Sequence, residues 1–326
     1  MAHSDAWHAG RLTGIGGSDI AAIMGLDKYS SPMRVYLDKI GVPSEVVENE
    51  AMEWGTRTES IVADKFAEMH PEFVVAKALE ADGEETLFRH PEYPFAVAHP
   101  DRLLYAVSED QSNGIAIMGP VQGVWECKTA GREARKHSWT LPNGNEYPPP
   151  TAIAQVQWYM DIVGAEFAWV SVLFEGRYYR EWYIERDQEF VSKLLTAGAE
   201  FWALVESRTP PAIDASQATA DVLAILYRDV IDEVIQLPTE LEPVAAERLA
   251  LKTEVDLLKS DLLRVENQLK AALGEHETGY AGSYRVTWKS RAGRKTADVK
   301  SLEADGLDEY VKAGAPYRVL DVKEEE

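Results

Sequence analysis

Two short segments, AHPDRLL around Asp101 and VWECKTA around Glu126, carry two carboxylates and an ammonium at a spacing that lets them converge. Asp101 stands at the end of one expected strand, and Glu126-Cys127-Lys128 lies on the next. Side chains alternate along a strand, so Glu126 and Lys128 share one face and Cys127 takes the other. Hard oxygen ligands of this kind suit Mg²⁺ or Mn²⁺. Such a metal polarises a phosphate and lowers the pKa of a bound water, and a second metal, where present, sits about 4 Å away by the leaving oxygen. A lysine beside the metal orients the attacking water or stabilises charge on the phosphate. The set is that of phosphodiester hydrolysis. An acidic residue from a neighbouring helix commonly completes the ligand shell, and Glu59 is the candidate.

A turn aspartate followed by a solvated strand face would give the same letters. Three features favour the chemistry. A hairpin fits between Asp101 and Glu126, the order of elements is helix, strands, helix, strand, and Glu126 and Lys128 interrupt an otherwise apolar stretch.

The surrounding elements follow from pattern. Gly16-Gly17-Ser18-Asp19 before IAAIMGL predicts a loop and a short helix, with Ser18 or Asp19 as N-cap. SPMRVYLDKIG predicts a second short helix, and residues 50–70 a longer one with Ile61, Val62, Phe66 and Met69 at helical spacing. FVVAKAL, ETLFRH, PFAVAHPDRLLYAV and GVWECKT read as strands of an antiparallel meander. TAIAQVQWYMDIVG predicts a helix closed by Gly164, FAWVSVLFEG with RYYREWYIE a hairpin, and DQEFVSKLLTAGAEFWALVES a helix. Past Pro210-Pro211, Leu251, Val255, Leu258, Leu262, Val265, Leu269 and Ala272 mark a heptad seam, read as a helical arm packing on its own domain. A strand, a basic turn and a short helix end the chain. The divisions expected are a core over 1–209, an arm over 210–276 and a small strand–helix element over 277–326.

The chain has 326 residues, 45% of them apolar, and carries a net charge of -22. That balance excludes a general polyanion-coating protein, which would present a broad basic surface. The positive charge is segregated instead, into 285–300 and into 128–137 with Lys128, Arg132, Arg135 and Lys136. Cys127 is the single cysteine, which excludes an intramolecular disulfide and a cysteine-held iron–sulfur cluster. No signal segment or membrane span is read, so the expected location is the cytoplasm of a bacterium or phage-infected host.

The motifs resemble the YqaJ-like viral recombinases, the group that includes phage lambda exonuclease. RLTGIGGSDIAAIMG matches an N-terminal R…GGSD…G element, and MEWGTRTESIVADKFAE a G-x-x-x-E helix carrying Glu59. AHPDRLL and WECKT match the metal-binding strands, AIAQVQWYMDIVG a Q-x-Q helix with Gln155 and Gln157, and IERDQEF and YRVTWKSRAGRKT continue the match. The resemblance implies an α/β (α+β) fold of the PD-(D/E)xK, restriction-endonuclease-like kind, a central mixed sheet flanked by helices. It implies metal held by Asp101, Glu126 and the Cys127 carbonyl with support from Glu59, and Lys128 acting on the attacking water. Arg11 and Ser18 would bind a DNA phosphate, the 5′ end being the candidate, and Gln157 would hydrogen-bond near the scissile phosphate or the catalytic groups. A glycine-rich turn at a helix start suits an anion, although Ser18 alone reads as a plain N-cap and Gln157 equally as a helix residue capping a strand edge. Family members often have glycine after the motif aspartate, whereas this chain has Arg102, which alters the turn or adds a phosphate contact. Arg132 joins the expected phosphate contacts. His99 reads as structural, and Trp54, Trp125, Trp158 and Tyr159 read as core more than stacking groups, Trp54 less firmly.

The expected activity is Mg²⁺-dependent (or Mn²⁺-dependent) 5′→3′ exonuclease action on linear double-stranded DNA, leaving 3′ single-stranded tails. The resemblance also implies a ring-shaped homo-oligomer, a trimer being one form, and a single-strand-annealing recombination protein as partner. Two other readings stay open, an endonuclease with the same core and a non-catalytic DNA-binding or assembly module.

Overall fold

The computed structural model describes residues 10–42, 50–80, 83, 85–107, 119–293, 299–307, 310–311 and 318–323. Two compact units divide the chain, Met1–Ile225 and Leu226–Glu326. The first runs past residue 209 because helix α7 (Gln217–Leu226) belongs with it. Thr219 on that helix donates through Oγ1 to Ser31 Oγ at 2.9 Å, both residues buried.

The first unit is a mixed α/β fold. Its helices and strands before α7 are α1 (Gly17–Ile23), α2 (Pro32–Lys39), α3 (Glu50–Met69), β1 (Phe73–Ala76), β2 (Phe88–Arg89), β3 (Val97–Ala98), β4 (Arg102–Ala106), β5 (Val121–Ala130), α4 (Arg132–Ser138), α5 (Pro150–Val163), β6 (Phe167–Phe174), β7 (Tyr178–Glu185) and α6 (Gln188–Glu206). The main sheet has the order β1-β4-β5-β6-β7. All pairings are antiparallel except β5 with β6, which run parallel with α4 and α5 between them. A parallel pair needs such a crossover, and a helix is its usual form. The expected meander is therefore partial. ETLFRH contributes only Phe88–Arg89, which pairs with Val97–Ala98 in a separate two-stranded ribbon.

Each face of the sheet has its own core. Leu103, Val124, Val170 and Val172 face the cluster built with α5, where Val156, Trp158 and Met160 are buried. Leu104 and Trp125 face α3, through Val62, Ala63 and Phe66. The alternation along β5 thus assigns Val124 to the α5 side and Trp125 to the α3 side. The next two steps bring Glu126 and Lys128 to the α5 side and Cys127 among the partners of the α3 cluster. Trp125 is further fixed by donating from Nε1 to Ser171 Oγ at 2.8 Å.

Two devices tie the N-terminal loop to this frame. Ile15 forms a parallel bridge with Ala96, and Trp158 Nε1 on α5 donates to the carbonyls of Ile15 and Val97 at 3.1 and 3.2 Å. Gly17 then lies so close to α5 that a Cβ would stand 2.7 Å from both Gln155 Cγ and Tyr159 Cε1. Only glycine permits that approach.

The second unit holds α8 (Glu242–Leu273), the hairpin β8 (Thr278–Ala281) with β9 (Tyr284–Thr287), and α9 (Val299–Ala304). Leu251, Val255, Leu258, Leu262, Val265 and Leu269 on α8 are all exposed, against the expectation of an arm packed along its seam. Arg294, Lys295 and Thr296, the end of the YRVTWKSRAGRKT match, lie outside the described residues. Among the described residues no helix is long and apolar enough to cross a membrane.

Candidate active site

Asp101 immediately precedes β4, and its carboxylate crosses to the neighbouring strand. There Oδ2 accepts from the Cys127 N–H at 2.7 Å. Two residues of β5 then point into the same space. Lys128 Nζ donates to Glu126 Oε1 at 2.5 Å. The three residues singled out by spacing alone are brought together, and they line a cleft of about 950 Å³ that also takes in Arg11, Ser18, Glu59 and Gln155.

Glu126 is 2% exposed, and its two oxygens differ. Oε1 accepts from Lys128 Nζ and from Gln155 Nε2 at 2.8 Å. Oε2 is buried with no hydrogen-bond partner. A buried carboxylate oxygen is costly to leave unsatisfied, so this position suits a cation. Asp101 and Glu126 supply the hard oxygens that Mg²⁺ or Mn²⁺ requires, and the residues present fit such an ion.

The electrostatics agree. Burial pushes the Asp101 carboxyl well above the ordinary carboxylate range, and the charges of Glu126 and Glu59 push it further. Burial also raises Glu126, against the opposing pull of Lys128. Burial alone would lower Lys128, but Glu126 and Asp101 outweigh it and hold the ammonium charged. Two carboxylates resisting ionisation beside a charged lysine form a site that a divalent cation would relax. Burial and the nearby carboxylates push the Cys127 thiol far up, so it is no nucleophile.

Gln155, not Gln157, serves this site. Gln155 Oε1 accepts from Lys128 Nζ at 2.9 Å, and its Nε2 reaches Tyr159 Oη at 3.1 Å besides Glu126. Gln157 is buried and turned away, donating to the Glu185 carbonyl at 2.7 Å and accepting from the Asp187 N–H at 2.9 Å. Its assignment to the scissile phosphate is corrected to the strand-edge cap. The reason is geometric, since residues two apart on a helix point about 200° apart.

Ser18 is not the N-cap of α1 either. Gly16 is, and Asp19 Oδ2 accepts its N–H at 2.9 Å, leaving Ser18 to line the cleft. Asp19 also binds Lys39 Nζ at 2.6 Å and Arg11 Nη2 at 3.2 Å, and Lys39 Nζ donates to the Arg11 carbonyl at 2.6 Å. The two cations hold the Asp19 carboxyl below its ordinary value against burial. Arg11 is thereby fixed at the cleft wall.

Two expected phosphate contacts are placed otherwise. Arg102 does not line the cleft. It pairs in register with Trp125, so it points to the α3 face, where it is buried and bonded to Glu59. Arg132 is exposed at the start of α4 and does not line the cleft, although Gly131 before it and Ala134 after it do. Arg135 in the same basic stretch is held by Glu146 at 2.5 Å. Trp54 is 57% exposed, unlike the buried Trp125, Trp158 and Tyr159, and His99 lines the cleft.

Residues 6–166 match the model of the YqaJ-like viral recombinase domain. Protein YqaJ of Bacillus subtilis (strain 168) is 31% identical over 327 residues, covering 98% of this chain and 94% of that protein. The chain belongs to the YqaJ-like viral recombinase family. Protein D345L of African swine fever virus (isolate Tick/South Africa/Pretoriuskop Pr4/1996) is 31% identical over 126 residues, which cover 39% of this family member and 32% of the viral protein. Among solved structures, an alkaline exonuclease (LHK-Exo) from Laribacter hongkongensis aligns with a TM-score of 0.48 and 21% identity, covering 63% of this chain and 94% of that one.

Proposed function

We propose that this protein is a metal-dependent exonuclease that degrades linear double-stranded DNA from the 5′ end and leaves 3′ single-stranded tails for recombination by strand annealing. The observation that carries the reading is the orphaned Glu126 Oε2 beside Asp101, with the Lys128 ammonium held on the other oxygen. Family membership supports a nuclease of recombination, and the 5′→3′ direction follows from the resemblance of motifs to lambda-type exonucleases.

Asp101 and Glu126 would hold the ion, with the carbonyl of Cys127, the residue after Glu126, as a further ligand. A bound Mg²⁺ or Mn²⁺ supplies Lewis acidity toward the phosphate and a more acidic water. Lys128 keeps its proton and presents a fixed positive charge where negative charge develops on the phosphate. Gln155 fixes Lys128 and Glu126 relative to each other, so the ammonium needs little reorganisation. Arg11 and Ser18 would take a DNA phosphate at the far wall of the cleft.

An acidic chain can handle DNA if its basic groups face inward, so the reading includes a ring-shaped oligomer, a trimer among the forms, around the duplex. A single-strand-annealing protein would take up the product tail. A protein that stays monomeric with DNA and Mg²⁺ would remove the ring.

The deciding assay is hydrolysis of linear duplex DNA labelled at the 5′ or the 3′ end, beside a covalently closed circle. Early release of the 5′ label with the circle intact is expected. Cutting of the circle would make the protein an endonuclease. No hydrolysis with Mg²⁺ or Mn²⁺ would leave a DNA-binding or assembly module.

A further inference from the structure

In the second unit, the chain changes its chemistry after α8. From Thr278 to Ala297 the sequence holds Arg285, Lys289, Arg291, Arg294 and Lys295 and neither Asp nor Glu, in a chain with 55 acidic residues out of 326. The hairpin of β8 and β9 presents the first part of that stretch. Its register sets Tyr280 opposite Arg285 and Gly279 opposite Val286. The Trp288 N–H donates to the Glu277 carbonyl at 2.9 Å, one step past the last strand pair.

Paired residues share a face and successive ones alternate, so Tyr280 and Arg285 stand on one face and Gly279 and Val286 on the other. The Gly279 face lies against the end of α8, where a Cβ would stand 2.9 Å from Cδ2 of the buried Leu273. The Tyr280–Arg285 face is thereby turned outward. Tyr280 is 76% exposed, Tyr284 77% and Trp288 52%, so three large rings within nine positions are left uncovered. Among the described residues no carboxylate lies within ion-pair distance of Arg285, Lys289 or Arg291, whereas Lys259, Arg264 and Lys270 on α8 each have one.

Unpaired cations beside bare rings match a single strand, whose free bases stack on aromatic side chains while its phosphates follow positive charge. A duplex offers the phosphates but keeps its bases stacked on each other, so it would leave the rings uncovered. We propose that the β8–β9 hairpin is a second nucleic-acid site, which takes single-stranded DNA by stacking bases on Tyr280, Tyr284 and Trp288 and by pairing phosphates with Arg285, Lys289 and Arg291. The site needs no metal. That its occupant is the 3′ tail rests on the exonuclease reading above; the binding itself does not.

Fluorescence anisotropy of a labelled oligothymidylate with the full-length protein in EDTA tests it. Tyr280→Ala should weaken binding about fivefold or more, and Tyr280→Phe should keep it, because the ring and not the hydroxyl stacks. Tyr280→Ala should leave the binding of a blunt duplex unchanged. Arg285→Ala/Lys289→Ala/Arg291→Ala should flatten the slope of log affinity against log salt by about 2, as expected for three lost phosphate contacts to a single strand. Lys259→Ala/Arg264→Ala/Lys270→Ala, which removes the same charge from α8, should leave that slope as it is. Oligothymidylate affinity that survives either Tyr280→Ala or the hairpin triple variant overturns the inference. Equal weakening by the α8 variant overturns it too, by making net charge the cause. A wild type that ignores the oligonucleotide but sediments with phosphatidylserine vesicles through the same residues would turn the hairpin into a membrane contact. Binding through the hairpin without hydrolysis of DNA in Mg²⁺ or Mn²⁺ would sink the exonuclease reading and leave this site standing.

Discussion

Gln155 donates to the same Glu126 oxygen that Lys128 holds, at 2.8 Å, and accepts from Lys128 in turn. The three side chains close a ring of hydrogen bonds that leaves the other Glu126 oxygen buried and without a partner. Two residues further along, Gln157 bridges the end of β7 to the start of α6. The two glutamines should therefore fail differently. Gln155→Ala should lower kcat on linear DNA with little change in thermal stability. Gln157→Ala should leave kcat of the folded fraction near wild type and cost about 0.5–1.5 kcal/mol of stability, because the Glu185 carbonyl and the Asp187 N–H lose their partner. Denaturant unfolding beside single-turnover hydrolysis reads both. A catalytic defect in Gln157→Ala without a loss of stability would reverse the assignment.

Lys128 is the group whose removal tests the chemistry most directly. Its ammonium is held charged by Glu126 and Asp101. Lys128→Ala should lower kcat by about 10²–10³-fold, the range seen when one preorganised stabilising donor is lost. Binding of a DNA end should weaken far less. Undiminished hydrolysis would place the active site elsewhere.

The central triad was legible in sequence because a strand has a period of two, and that period alone puts Glu126 and Lys128 together. The mixed sheet came with the family resemblance alone, since the strand pattern by itself reads as an antiparallel meander and the parallel β5–β6 pair appears only in the structure. What escaped were choices between equivalent letters. A Q-x-Q pattern on a helix offers two amides on nearly opposite sides, and the sequence does not say which side meets the cleft. The spacing of Gln155 to Tyr159, one helical turn, was the available signal, since both pack against Gly17. Arg102 was visible as a departure from glycine, but its partner depended on the β4–β5 register, which sets it opposite Trp125. Ser18 looked like a cap because Asp19 can reach back to Gly16 only once the loop is folded.

Gly17 offers a test of how tightly the loop must dock. Its position beside Gln155 and Tyr159 leaves no room for a Cβ. Gly17→Ala should cost about 1–3 kcal/mol by overpacking. It should also lower kcat, because the crowded Gln155 side chain is the one that holds Lys128 and Glu126. Gly131→Ala, where a Cβ would meet nothing within 4 Å, should do neither. Equal unfolding midpoints for the two variants would show that the loop yields without moving α5.

Stability against pH should separate the metal-free site from the rest of the fold. Burial, with the charges of Glu126 and Glu59, raises the Asp101 carboxyl above 3.8, and burial raises Glu126 above 4.5. The folded protein thus binds these protons more tightly than the unfolded chain does. The resulting stability is fully present below the unfolded values and is lost as pH rises through the raised folded ones. Asp19 has the opposite sign, since its carboxyl is lowered and its contribution is lost only as pH falls through that lower value. His70, raised through Glu181 and Glu72 against its burial, adds stability that is lost as pH rises beyond 6.5. Comparison with Asp101→Asn removes the Asp19 and His70 parts, which both proteins share. In EDTA the melting temperature of the wild type should fall relative to Asp101→Asn as pH rises from about 4 toward neutrality. Mn²⁺ should reverse that trend, because the ion takes the ionised carboxylates and displaces their protons. Calorimetry in two buffers of different ionisation enthalpy should then show proton release on Mn²⁺ binding that shrinks as pH rises. A melting difference that is flat with pH, together with no protons released, would mean that Asp101 is already ionised in the empty site and that burial does not govern it.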